Sequence, residues 1–126
     1  MSGDTGQIGP VQRFIDDMTA VGAPARLDGP RILYEVKAVA GALAGQTVTT
    51  GVSISEVQSW PLAPPHWIHL PESVTFTQTN LDDTDCPPGW KRHSREYNYT
   101  DMSVPPALAW LRHVRGLISI AIPEAA

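Results

Sequence analysis

The only cysteine, three of the four histidines and a run of carboxylates fall within one stretch, Trp60 to Arg95, WPLAPPHWIHLPESVTFTQTNLDDTDCPPGWKRHSR. The cysteine is Cys86, set between Asp85 and the pair Pro87-Pro88. A sulfur nucleophile has to be reached, and a loop stiffened on one side by two prolines is a plausible way to present a thiol to a partner. A lone cysteine is more often a small buried apolar residue. The Asp and Pro neighbours of Cys86, with no apolar residue among them, weigh against that. A free thiol titrates at about 8.5; Asp82, Asp83 and Asp85 push that value up, while Lys91, Arg92 and His93 pull it down. The order of residues alone leaves that balance open.

The histidines raise the question of a metal. His66 and His69 stand three apart on an extended segment, which turns them to opposite faces, and no third ligand follows at a characteristic spacing. Neither a metal nor another cofactor is expected, and a metal-dependent hydrolase using His66, His69 and His93 is left without a ligand set. His93 lies in a basic run, where a solvated or structurally hydrogen-bonded imidazole is the ordinary case. Lys91, Arg92 and Arg95 read as a solvated face able to dock an acidic partner.

The elements that must position this stretch come from one domain's length of chain, 126 residues with 42% hydrophobic content. A net charge of −4 argues against a nucleic-acid binder, because phosphate neutralisation needs a basic face. No apolar run has the length needed to cross a bilayer, and the start MSGDTGQIGP lacks signal-peptide features, so a soluble cytoplasmic protein without membrane partners is expected. A single cysteine suits that reducing compartment.

Residues 1–9 read as a loose tail, and residues 10–122 as the domain. Pro10 suits the first turn of a helix in which Val11, Phe14, Ile15, Met18 and Val21 recur at helical spacing, ended by Gly22 and Pro24. From Arg31 the period changes to two: Ile32, Tyr34, Val36 and Ala38 alternate with Leu33, Glu35, Lys37 and Val39, a half-buried strand. Gly41 to Gly45 makes the turn. Val48, Thr50, Val52 and Ile54 then mark a second strand pairing antiparallel with the first, and Trp67 to Leu70 a third, stopped by Pro71. Thr75 to Asp85 is polar with little periodicity, part of a long irregular loop. Ser103 is placed to cap a last helix opening at Pro105 and Pro106, with Ala107, Leu111, Val114 and Ile118 as its apolar stripe and Leu108, Trp110 and Leu117 widening it. The class is α+β: an N-terminal helix, an antiparallel meander, a long active-site loop and a C-terminal helix packed on the sheet.

That order, with its loop, resembles the ubiquitin-conjugating (E2, UBC-type) fold. Family members enter the third strand through an aromatic-proline pair and a Pro-Pro step, as Trp60-Pro61 and Pro64-Pro65 stand here. They place the catalytic cysteine about twenty residues beyond that step, where Cys86 falls. A helix opening near a proline follows, as Pro105 to Ile118 does here, so the likeness covers roughly residues 10–120. The family's His-Pro-Asn signature is missing between Val74 and Thr79, and the two C-terminal helices of eukaryotic members are not seen. In this the chain looks more like bacterial members encoded beside ubiquitin-like modifiers, E1-type activating enzymes and JAB-type peptidases. Some of those carry a histidine after the cysteine instead of before it, where His93 stands.

The resemblance implies an E2-like carrier. Cys86 accepts a ubiquitin-like protein from an E1-like activating enzyme as a thioester and passes it to an amine of a protein target. Asp85 is the first choice to orient or deprotonate that amine, and Asn80 or His93 to support the oxyanion. A role in bacterial antiviral defence follows from the same likeness. The rival it leaves open is a catalytically inactive variant that binds a ubiquitin-like protein or an activating enzyme, favoured by the missing signature.

Overall fold

The computed structural model describes residues 9–76, 80–94 and 103–122; of the tail read at 1–9, residues 1–8 lie outside them. Helix α1 spans Pro10–Ala20 with the proline at its start, and buries Phe14 and Met18. Six strands and a one-turn 3-10 helix follow, and helix α2 closes the fold at Pro106–Ser119. The strands are β1 Ala25–Asp28, β2 Arg31–Lys37, β3 Thr47–Ser53, β4 Trp67–Pro71, β5 Asn80–Asp82 and β6 Trp90–Ser94, which makes six, β5 and β6 lying in the stretch expected as irregular loop. They form one antiparallel sheet in the order β1-β2-β3-β4-β6-β5.

The α+β class, the helix at each end and the meander are as expected, and the sheet is wider. Strand β1 was missed because four residues, Ala-Arg-Leu-Asp, carry too little alternation to announce a strand. Strands β5 and β6 are held by cross-strand pairing between Asp82 and Arg92 and between His69 and Arg92, not by an apolar repeat.

Register fixes which residues share a face. Ile32 pairs with Val52, Tyr34 with Thr50 and Val36 with Val48; these, with Ile68 and Leu70, form the apolar side on which both helices lie. Residues of α2 that are buried there are Ala107, Trp110, Leu111, Val114, Leu117 and Ile118. The contact is specific: Trp110 Nε1 donates to Tyr34 Oη at 3.1 Å, and Phe14 meets the Tyr34 and Trp60 rings edge-on at 5.8 and 4.8 Å. Trp60 Nε1 donates in turn to Asp17 on α1 at 3.1 Å, so the proline-rich segment is tied to the first helix. Glu56 takes up its other end, accepting the backbone N–H groups of His66 and Trp67 at 2.9 and 2.8 Å. The N-cap position of α2 is occupied by Pro105, with no side-chain capping bond; the proline's preset φ starts the helix there.

Among the described residues the opposite side of the sheet carries neither of the two α-helices, yet it is not simply solvated. Leu33 and Arg31 on β2 are buried, as are Ser53 on β3 and His69 on β4. Strand β2 is therefore covered on both faces along its first half, where half-burial was expected. Among the described residues no helix is long and apolar enough to cross a membrane.

Candidate functional site

Cys86 lies in the turn between β5 and β6, and that turn is built by its carboxylates. Asp82, the last residue of β5, accepts the backbone N–H of Thr84 at 2.9 Å. Its two oxygens also take a forked pair from Arg92, Nε at 2.6 Å and Nη2 at 3.3 Å. The Cys86 N–H closes on the Asp83 carbonyl at 3.0 Å, and Trp90 N–H on that of Pro87 at 3.2 Å. Between them Asp85 adopts φ of 60°, a left-handed conformation that Asp tolerates better than most residues. Glu72 N–H, just past β4, binds the Gly89 carbonyl at 2.9 Å and pins the far end.

This turn faces the helix-free side. Asp85, Cys86 and Pro87 share a groove of about 440 Å³ with the β1–β2 turn, Asp28 to Arg31. Arg31 lines it, and the charge of a second arginine, Arg92, also acts on the Cys86 thiol. Arg92 lies over the Trp67 ring at 4.0 Å and Arg31 over Trp90 at 4.4 Å, contacts that hold guanidinium groups against a ring face. They differ in how they are satisfied. Arg92 is committed to Asp82, which raises its own affinity for the proton and holds the Asp82 carboxyl down to about 2. Arg31 is only 4% exposed; among the described residues its one carboxylate partner is Asp28 at 3.5 Å, and its Nη1 has no hydrogen-bond partner.

Cys86 itself is half-buried. Burial pushes its thiol up, Arg31 and then Arg92 pull it back, and Asp82 and Asp85 push it up again; the net direction is up. His69 is fully buried beneath the same layer, with neither ring nitrogen hydrogen-bonded among the described residues. Burial first, then the nearby Arg31 and Arg92 charges, hold it down to about 4, so it is neutral at physiological pH.

Of the residues singled out in the sequence, Cys86 and Asp85 come together. His93 does not join them. It pairs across the sheet with Ile68 and Leu81, on the helix side, where it is buried and meets the Phe76 ring edge-on at 4.9 Å; burial lowers its proton affinity. Strand alternation is the reason, since Arg92 and His93 point to opposite faces and it is Arg92 that turns toward the cysteine. Asn80 opens β5 opposite Ser94, two residues up the strand from Asp82, and its side chain lies outside what is described. Lys91 reaches Asp83 at 3.9 Å, while Arg95 lies outside the described residues. His66, exposed, is 2.7 Å from Ser94 Oγ. Among the described residues no three His, Cys, Asp or Glu side chains are grouped so as to hold a metal ion.

Sequence reasoning missed Arg31, Asp82 as a fork for Arg92, and the paired tryptophans. Alternation in Trp90-Lys91-Arg92-His93-Ser94 would have put Trp90 and Arg92 on one face had the stretch been read as a strand. Nothing in the order of residues brings Arg31 to Cys86, because the two are far apart along the chain. Compared with known protein families, curated proteins and solved structures, the chain matches none.

Proposed function

We propose that the chain is an E2-like acyl carrier: Cys86 takes the C-terminal acyl group of a ubiquitin-like protein from an E1-like activating enzyme and hands it to an amine of a protein target. The observation that carries this reading is a half-buried thiol opening on a groove walled by two turns, with Arg31 and Asp85 on its lining and the Arg92 charge acting on the sulfur. In the first step the sulfur attacks the carbonyl carbon of the donor thioester. The new C–S bond forms as the donor's C–S bond breaks, and the thiol proton goes to the departing donor thiolate. In the second, the target amine attacks the same carbon, the C–N bond forms, the Cys86 bond breaks and the amine proton returns to Cys86.

A thiol whose pKa lies above the ordinary value suits a carrier. It is a poorer leaving group than an unperturbed thiol, so its thioester resists stray hydrolysis until an amine is held in place. Asp85, exposed and in the same groove, is positioned to orient that amine or take its proton. The raised thiol also favours the second reading, an inactive variant that only binds the modifier or its activating enzyme. The two separate in one assay with a ubiquitin-like modifier, its activating enzyme and ATP. A reductant-sensitive adduct that disappears in Cys86→Ala is the outcome expected of the carrier. Binding with no adduct points to the silent variant, and neither binding nor adduct overturns both.

A further inference from the structure

Arg31 is held in a state that folding alone does not favour. A guanidinium carries five N–H donors, and one that is nearly shut from water needs carboxylate or carbonyl partners to offset its lost hydration. Arg92, the other arginine of this layer, has them in the Asp82 fork. Among the described residues Arg31 has the Trp90 ring, a long contact to the exposed Asp28, and no hydrogen-bond partner for Nη1. It lines the same groove as Cys86 and lies close enough to lower the thiol's proton affinity. A buried donor left open in this way calls for an acceptor, and a bound anion supplies one.

We infer that the groove between the β1–β2 turn and the cysteine turn is a carboxylate-binding site in which Arg31 holds the ligand's oxygens while its adjacent carbon is presented to Cys86 Sγ. The site concerns the same thiol as the function proposed above but does not depend on it, since it requires only an oxygen anion beside the sulfur. Asp28 and Asp85, both on the groove, oppose an anion and restrict the site to a small planar group that reaches Arg31 between them. Arg92 contributes positive potential while its Nε and Nη2 are engaged by Asp82.

Having one cysteine makes the test direct, because alkylation of the full chain reports on Cys86 alone. Iodoacetate and iodoacetamide have nearly the same shape and differ in the carboxylate. In either case sulfur attacks the methylene carbon, the C–S bond forms, iodide leaves with the electron pair of the C–I bond, and the thiol proton goes to solvent. The expected result is a ratio of iodoacetate to iodoacetamide rates that falls about tenfold in Arg31→Met, the size of one charge-assisted hydrogen bond opposed by nearby carboxylates. Asp28→Asn, at an exposed position, is expected to raise the ratio. On the unaltered protein, sodium acetate is expected to slow iodoacetamide labelling more than sodium chloride of equal ionic strength, which keeps the test available if Arg31→Met does not fold. Equal ratios in the unaltered protein and the variants, or equal effects of acetate and chloride, overturn the inference. A chain that shows the preference yet forms no adduct with a modifier refutes the carrier reading alone; the reverse result refutes only the carboxylate site.

Discussion

At Cys86, burial, helped by Asp82 and Asp85, opposes Arg31 and Arg92, and the net direction of the thiol pKa is up. The expected consequence is an alkylation rate by iodoacetamide that keeps rising with pH beyond the ordinary thiol range; a midpoint at or below about 8.5 contradicts it. His69 gives a second residue-level prediction. Its imidazole takes a proton at about 4 in the fold and near the ordinary 6.5 when unfolded. Below 6.5 the unfolded chain therefore binds the extra proton. Stability from this group is intact above that pH, falls as the pH drops, and the loss levels off near pH 4 at roughly 3 kcal/mol. His93, also lowered by burial, adds to the fall in the same direction. The urea midpoint of the protein should drop between about pH 7 and pH 4 by clearly more than that of His69→Leu; equal drops count against a buried neutral His69. That Cys86 is not a fully buried core residue was legible from its Asp and Pro neighbours, whereas the direction of its perturbation was not, because burial and Arg31 come from other elements.

Turns and hairpins decide where these residues end up. Gly41 and Gly45 flank the turn between β2 and β3 at φ of +84° and +86°, but only at Gly41 does the surrounding structure forbid a side chain: a Cβ there would lie 2.1 Å from the Ser119 carbonyl oxygen at the end of α2. Gly45→Ala should cost about 1–2 kcal/mol, the ordinary penalty of a left-handed alanine, and Gly41→Ala clearly more, since helix and turn must separate. Thermal melting of the two variants checks the difference, and equal costs would mean the turn does not press on α2. The two main helices and strands β2, β3 and β4 are strongly periodic, and the sequence shows them. The β5–β6 hairpin is not, because its stability lies in cross-strand partners: the Asp82–Arg92 fork, and the row that places Trp67 opposite Ser94 and His69 opposite Arg92. Polar pairs of that kind have no period to read.

Across the whole molecule, one apolar layer unites α1, α2 and the sheet, and Phe14 sits where they meet, fully buried against Tyr34 and Trp60. Phe14→Ala should cost about 3–5 kcal/mol in a denaturant titration; a change under about 1 kcal/mol, the scale of a surface substitution, would show that α1 is not part of the cooperative fold. The other side of the sheet is a second, polar layer of stacked arginines and tryptophans over His69, and it is against this layer that the cysteine turn rests. By itself the sequence determined the α+β class, the helix at either end, the three-strand meander and the one thiol worth testing, since each rests on local periodicity or on residue type. Only the tertiary structure decided that Arg31 and Arg92 come to Cys86 while His93 turns to the core. Side-chain direction on a paired strand is fixed by register, and register depends on partners that the chain meets only after it folds.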